Sequence, residues 1–405
     1  MEGTHVQREW ENWSGSIRCT PRVLACPDDE PALRKIVGAA ADAGRHVRAA
    51  GAGHSSSAVV GCRDVLVDIR RLAGILRVDA PARRATVRAG TTLASLGSAL
   101  YAHDLALPNY GDTADQTIAG ALCTATHGAG LTLPSLSSLL VGARLVDGQG
   151  RTVDIGESDL HALRSLRVSL GLLGIFVEVT LRLVPAFDVE RREYSTRCAD
   201  ALADFRRLAE GNYSFDLYWY PRRDDVKLRL VNPLGGGSPP PANAVLLELR
   251  GGPGHEVIPA HSGLPHRFEE CEYAMPYEEG LACFADVRTR ILRRWRHLMG
   301  WRVLVRTVAA DDSHLSPHHG RNSITLSIHQ NARLPWREIF DDIEPIFRAH
   351  GGRPHWAKKH SLGRASLERL YPGLGEFHAL RRRLDPADVF LSPPVRRLVG
   401  DGRDG

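Results

Sequence analysis

Apolar positions recur at helical spacing over residues 28–43, with acids in the first turn and Gly44 at the end, and this pattern predicts a helix. Short aliphatic runs at 47–50, 65–69 and 85–89 are expected as strands. Residues 91–103 return to helical spacing behind a threonine cap. The runs 139–146 and 152–155 flank Asp147-Gly148 and predict a β-hairpin, and 177–184 is a further β-rich run ahead of Pro185. Beyond Ala186 the texture changes. Residues 213–220 (YSFDLYWY) alternate aromatic and polar as a half-buried strand does, and 226–231 and 245–249 are expected to pair with it. The GGGSPPP stretch at 235–241 excludes regular structure, and the longest helix is expected over 281–298. The reading is an α+β chain of two domains, 1–185 and 186–350, with a C-terminal segment, 351–405, that returns to the first.

Composition narrows the class. The 405 residues are 43% hydrophobic and 24% charged, as in a soluble globular protein with room for more than one domain. No run approaches the ~18 apolar residues of a membrane span, so no membrane partner is expected. The first ten residues carry no secretory pattern, and seven scattered cysteines without C-x-x-C suit reduced thiols, so a cytoplasmic location is expected. The net charge of +5 is dispersed, and clusters such as Arg381-Arg382-Arg383 lack interleaved aromatics, which argues against a nucleic-acid partner. Only four of the 52 basic residues are lysines (Lys35, Lys227, Lys358, Lys359), which draws attention to each. His255-Glu256 with His261 lacks metalloprotease spacing, and Pro317 interrupts His314, His318 and His319, so no metal is expected. No nucleophile elbow is present.

Three segments of small residues stand out. Arg48 to Ser57 (RAAGAGHSSS) follows a strand, and its glycines let backbone N–H groups approach a pyrophosphate. It is not G-x-G-x-x-G with an acidic ribose ligand, which disfavours a nicotinamide-binding Rossmann fold. Residues 111–130 (GDTADQTIAGALCTATHGAG) are too polar for a core strand and too rich in Thr, Gly and Ala for a surface helix, and suit a loop around an extended cofactor. Residues 171–177 (GLLGIFV) suit packing against a flat ring.

The succession G-x-G-H-S at 51–55, L-P-N at 107–109, A-G at 119–120, T-x-T-H-G-x-G at 124–130 and S-L-G-x-L-G-I at 169–175 resembles the vanillyl-alcohol-oxidase superfamily of flavoproteins. The sequence His355-Trp356-Ala357-Lys358 resembles the H-W-x-K motif of its aldonolactone oxidase and alditol oxidase branch. The likeness runs from Trp13 to about Val395 and is weakest between Phe187 and Leu298. It implies a two-domain flavoprotein: a PCMH-type FAD-binding domain and an antiparallel-sheet substrate (cap) domain.

By this resemblance FAD is the cofactor, bonded covalently through His54. Gly51, Gly53, Ser55 and Ser56 would line the pyrophosphate, and Gly111, Asp112, Gln116, Gly120, Thr124, Thr126, His127, Gly128 and Ile175 the rest. Lys358 would sit at the flavin and the reacting hydroxyl, with Arg306, from Leu304-Val305-Arg306-Thr307-Val308-Ala309-Ala310-Asp311, beside it. His355 is expected at the substrate. Three departures matter: Leu304 stands where the family has a glutamate, Ser327 where alditol oxidases have a histidine, and Asp112 where they have a serine. Leu304 and Ser327 are therefore expected to line an altered, locally more apolar substrate pocket, with Asp112 and His329 as candidate proton acceptors. The implied reaction is hydride transfer from a hydroxyl-bearing carbon of a polyol or sugar-derived substrate to the flavin. Molecular oxygen would reoxidise the flavin, because Gly111 leaves its approach open. Two alternatives stand beside it: a larger secondary-metabolite substrate such as a nucleoside or glycoside, and a flavin-binding protein without catalysis. Nothing in the sequence sets the oligomeric state, and a monomer is compatible with it.

Overall fold

A computed structural model describes residues 9–259 and 266–400; His261 lies outside them. Helix Glu30–Asp42 forms where the spacing predicts it, with Asp29 capping its N-terminus. It buries Leu33, Val37 and Ala40 and lies against strand Leu140–Val146, and a three-stranded parallel sheet is ordered Val23–Ala25, Val65–Asp68, Val47–Ala50. A second sheet runs in the order Thr152–Gly156, Leu140–Val146, Ile175–Arg182, Arg84–Arg88, Ile75–Asp79, and includes the expected hairpin. Helix Leu93–Tyr101 is capped by Thr92.

The third sheet has eight antiparallel strands, in the order Val245–Pro253, Asp188–Arg197, Asp225–Pro233, Ser214–Tyr220, Val303–Val308, Ser323–Asn331, Phe268–Pro276, Arg353–Pro354. One expected pairing fails here. Strand Val245–Pro253 pairs with Asp188–Arg197 and not with the 213–220 segment. The intervening strand was hidden because charges occupy much of it; Arg191 and Glu193 are buried in it through ion pairs.

Two further differences have local causes. Residues 111–130 are not loop throughout: Ile118–Cys123 is helical behind a Thr117 cap. Its small side chains let it bury Ile118, Ala119, Ala121 and Leu122, a setting in which tertiary packing overrides weak propensity. The long helix starts earlier, at Tyr277 with Glu278 and Glu279 in its first turn, and ends as a π-turn over Ile291–Trp295.

The C-terminal residues cross both halves. Arg353–Pro354 closes the eight-stranded sheet against Tyr273 and Ala274. The Ser56 amide then donates to Ala357 O, and the Val47 amide to Val389 O. Trp356, fully buried, donates its indole N–H to Leu315 O at 2.6 Å and fixes the turn that carries Lys358. No helix among the described residues is long and apolar enough to cross a membrane.

Candidate active site

Directly opposed residues of an antiparallel sheet share a face. In the large sheet His329 lies opposite Glu270, and Ser327 lies between Glu272 and Leu304. One face therefore presents Glu270, Glu272, His329 and Arg306, and a cavity of about 830 Å³ opens against it. Lys358 and His355 form another side, and Trp13, His54, Gly111, Asp112, Gln116 and Thr126 complete much of the wall. A second cleft, of about 750 Å³, runs along Gly51 to Ser55 and past Gly120, Thr124 and Ile175. The two share His54 and Gln116.

The second cleft fits a dinucleotide cofactor. The backbone N–H groups of Ala52, Gly53, His54 and Ser55 donate to no acceptor among the described residues, which leaves a row of donors suited to a pyrophosphate. A Cβ at Gly51 would stand 2.0 Å from Thr117 Oγ1, so only glycine lets the loop pass that close. Fully buried Arg48 donates to the carbonyls of Val59, Leu170, Gly171 and Phe390, tying three segments of the cleft wall together. Val59, Ile69, Ile175 and Phe176 give the cleft apolar surface for a flat ring.

The first cavity is an array of buried ions. Glu270 accepts from Lys358 and Ser327, and His329 Nε2 lies 3.4 Å from it. Burial pushes this carboxyl up, but the Lys358 ammonium outweighs burial and holds it below the usual range. Glu272 lies 2.6 Å from His127 Nε2 and 2.9 Å from Arg306 Nη2; burial raises it, and the Arg306 guanidinium, with the hydrogen bond to His127, outweighs that and holds it well below its ordinary value. Asp112 lies 3.3 Å from Arg229 and 4.0 Å from Arg306. Burial pulls His329 and His54 to about 4 and His355 to about 3, with Lys358 adding to each shift, so all three imidazoles are neutral at pH 7. The His355 Nδ1 accepts from the Ala357 amide at 3.1 Å, which leaves its Nε2–H to face the cavity side. His54 is stacked on Trp13, ring centroids 5.5 Å apart.

His127, Glu272 and His355 hold ligand atoms within 4.8 Å of one another, a spacing open to a metal ion. Both Glu272 oxygens already serve His127 and Arg306, and the guanidinium would repel a cation, so this is a hydrogen-bonded ion cluster.

Most residues singled out in the sequence line one of the two spaces. Gly51, Gly53, His54, Ser55, Gln116, Gly120, Thr124 and Ile175 line the second cleft, and Ser56, Gly111, Asp112, Thr126, His127, Arg306, His329, His355 and Lys358 the first. Gly128 lines neither; a Cβ there would lie 2.3 Å from Tyr110 O, so close packing explains it. Leu304 and Ser327 stand on this same face but are covered by their neighbours, Ser327 donating to Glu270, and neither reaches the cavity surface. Sequence reasoning missed Glu270 and Glu272. The signal was present in FEECEYAMP: of its three acids Glu270 and Glu272, two residues apart, share one face while Glu269 takes the other, and buried charges require partners.

Comparison with known proteins gives a consistent result. Residues 260–398 match the family model described as D-arabinono-1,4-lactone oxidase, and residues 21–156 that of the FAD binding domain. The chain is 32% identical to an L-gulono-1,4-lactone dehydrogenase of Mycobacterium tuberculosis, covering 96% of this chain and 99% of that protein. It is 30% identical to an alditol oxidase of a Streptomyces strain, covering 96% and 98%. L-gulonolactone oxidase of Bos taurus is 26% identical, with 96% and 98% covered. Among solved structures, cholesterol oxidase from Brevibacterium sterolicum superposes with a TM-score of 0.83 at 17% identity over 97% of both chains, a likeness of fold.

Proposed function

Because the chain belongs to the aldonolactone and alditol oxidase branch of the FAD-linked vanillyl-alcohol-oxidase superfamily, we propose that it oxidises a hydroxyl-bearing carbon of a sugar-derived or polyol-like substrate. FAD bound along the second cleft would supply the hydride acceptor. The observation that carries the reading is the Lys358–Glu270 pair, set in the cavity that meets this cleft at His54 and Gln116.

The residues divide the work. Lys358 and Arg306 present cations where negative charge grows on the substrate oxygen as its hydride departs. Glu272, shared between His127 and Arg306, aims the guanidinium. The hydroxyl proton passes to the pair formed by Glu270 and neutral His329, whose titration belongs to both groups. Asp112, held near two arginines, anchors Arg306 and Arg229. His54, neutral and reached from both spaces, is the residue for covalent attachment to the flavin 8α-methyl. Gly111 leaves the approach of molecular oxygen open, and a methyl group there would sit 3.1 Å from Thr126 Cγ2. A protein that only carried flavin would have no use for two buried acids held in ion pairs beside it, since burying charge is costly.

The test is anaerobic bleaching of the purified holoprotein by a panel of alditols, aldonolactones and glycosides. We expect at least one to remove the yellow absorbance. If the whole panel fails while dithionite succeeds, the proposal is overturned.

A further inference from the structure

We propose that the first cavity continues past Arg302 into a second subsite, where Tyr220 and Trp301 stand among arginines, which binds a neutral ring carried by the substrate. This inference rests on the function proposed above and names the substrate as a ring-bearing derivative of a polyol or lactone, not the bare core.

Four observations lead to it. Arg302 lines both the first cavity and an adjoining cleft of about 920 Å³ whose walls include Tyr220, Pro221, Met299 and Trp301. A line of ring contacts joins the two spaces: Trp13 lies 5.0 Å from Phe268, and Phe268 lies 5.4 Å from Trp301. At its inner end Trp13 stacks on His54, so the line begins at the residue assigned to the flavin. Trp13, Phe268, Trp301 and Tyr220 are each half-buried, leaving aromatic surface open along the path. Such surface, bounded by polar groups, is the chemistry that receives a ring's apolar face.

Charge selects a neutral ring. Inside the first cavity Glu270 pairs with Lys358 and Glu272 with Arg306, a balance that suits a hydroxylated, uncharged reacting end. The arginines around the adjoining cleft are engaged as well. Arg222 donates to Met299 O at 2.8 Å and to His297 O at 3.2 Å, Arg223 pairs with Asp225, and the Arg302 guanidinium lies over Tyr218 and Trp301 at 4.6 and 5.7 Å. With the guanidiniums held in these contacts, a sugar ring or an aromatic aglycone meets the open surface of Trp301 and Tyr220, beside Pro221 and Met299.

The experiment compares matched substrates: an alditol or lactone core, the same core carrying a phenyl group, and the same core carrying a glucosyl group. For the wild-type holoenzyme we expect kcat/KM of one ring-bearing compound to exceed that of the core by about tenfold, chiefly through KM. Which of the two gains identifies the ring as aryl or sugar. In Trp301→Ala the ratio of ring-bearing to core kcat/KM should fall to near one, and Trp301→Phe should restore it. A wild-type ratio of one or less for both compounds, or a ratio unchanged in Trp301→Ala, overturns the subsite while the core still reduces the flavin. If no compound, core included, reduces the flavin, the underlying function falls with it.

Discussion

Replacing Lys358 with methionine tests the centre of the site, because one change has two separable consequences. The first is kinetic. If Lys358 stabilises the developing alkoxide, its loss resembles removal of one oxyanion donor, about 10²–10³ in rate. The second is structural. Glu270 has only 6% of its side chain exposed, and Lys358 is the cation that holds its carboxyl below the usual range. Stranding one member of a buried pair costs about 3–5 kcal/mol. Lys358 itself is 23% exposed, so solvent reaches the pair and about 2 kcal/mol is the better figure here. The double variant Lys358→Met/Glu270→Gln removes the stranded charge; it should recover most of the stability and none of the rate. Anaerobic stopped-flow absorbance reads flavin reduction, and urea titration reads stability. Reduction by Lys358→Met within threefold of wild type would refute the catalytic role. A double variant as unstable as the single would refute the account of Glu270.

Three further outcomes are expected. His54→Ala should release its flavin on acid precipitation, and yellow protein in the pellet would exclude covalent attachment through that residue. Gly111→Ala should slow reoxidation by oxygen about tenfold or more, since its methyl would press on Thr126 from inside the cavity; an unchanged rate in air-saturated buffer would remove Gly111 from the argument. Burial lowers His329 from its ordinary 6.5 to about 4, so the unfolded chain binds the proton first as pH falls. Stability should therefore be full above pH 6.5 and drop between about 6.5 and 4, by about 3 kcal/mol for this histidine. The depressed acids Glu270 and Glu272 lose their own contribution lower still. Denaturant midpoints that stay level from pH 7 to 4.5 would contradict the burial of neutral imidazole.

What could be read from the sequence was what is local. Helix Glu30–Asp42 and strand Val47–Ala50 stand where periodicity predicted them, because spacing and capping act within a few residues. The glycine-bearing loop was legible because close approach of a backbone demands a residue type. Strand Asp188–Arg197 was not, since its buried Arg191 and Glu193 look like surface until partners on neighbouring strands are known. The same limit hid the two acids. Glu272 meets His127 across 145 positions, and Glu270 meets Lys358 across 88. No local pattern specifies such meetings.

Leu304 shows how this changes the chemistry inferred. Taken alone, the loss of a glutamate two residues before Arg306 implies a more apolar pocket and an arginine short of a partner. In the fold that arginine is not short of one: the carboxylate comes from the strand Phe268–Pro276, where Glu272 reaches Arg306 at 2.9 Å, while Leu304 is buried and touches no cavity. An acid on a neighbouring strand can do for a guanidinium what an acid on its own strand would do, because electrostatic orientation depends on distance and burial and not on connectivity. The substitution at 304 therefore leaves Arg306 with a carboxylate partner. On the function proposed above, what distinguishes one substrate from another is then to be sought along the half-buried aromatic wall of Trp13, Phe268 and Trp301.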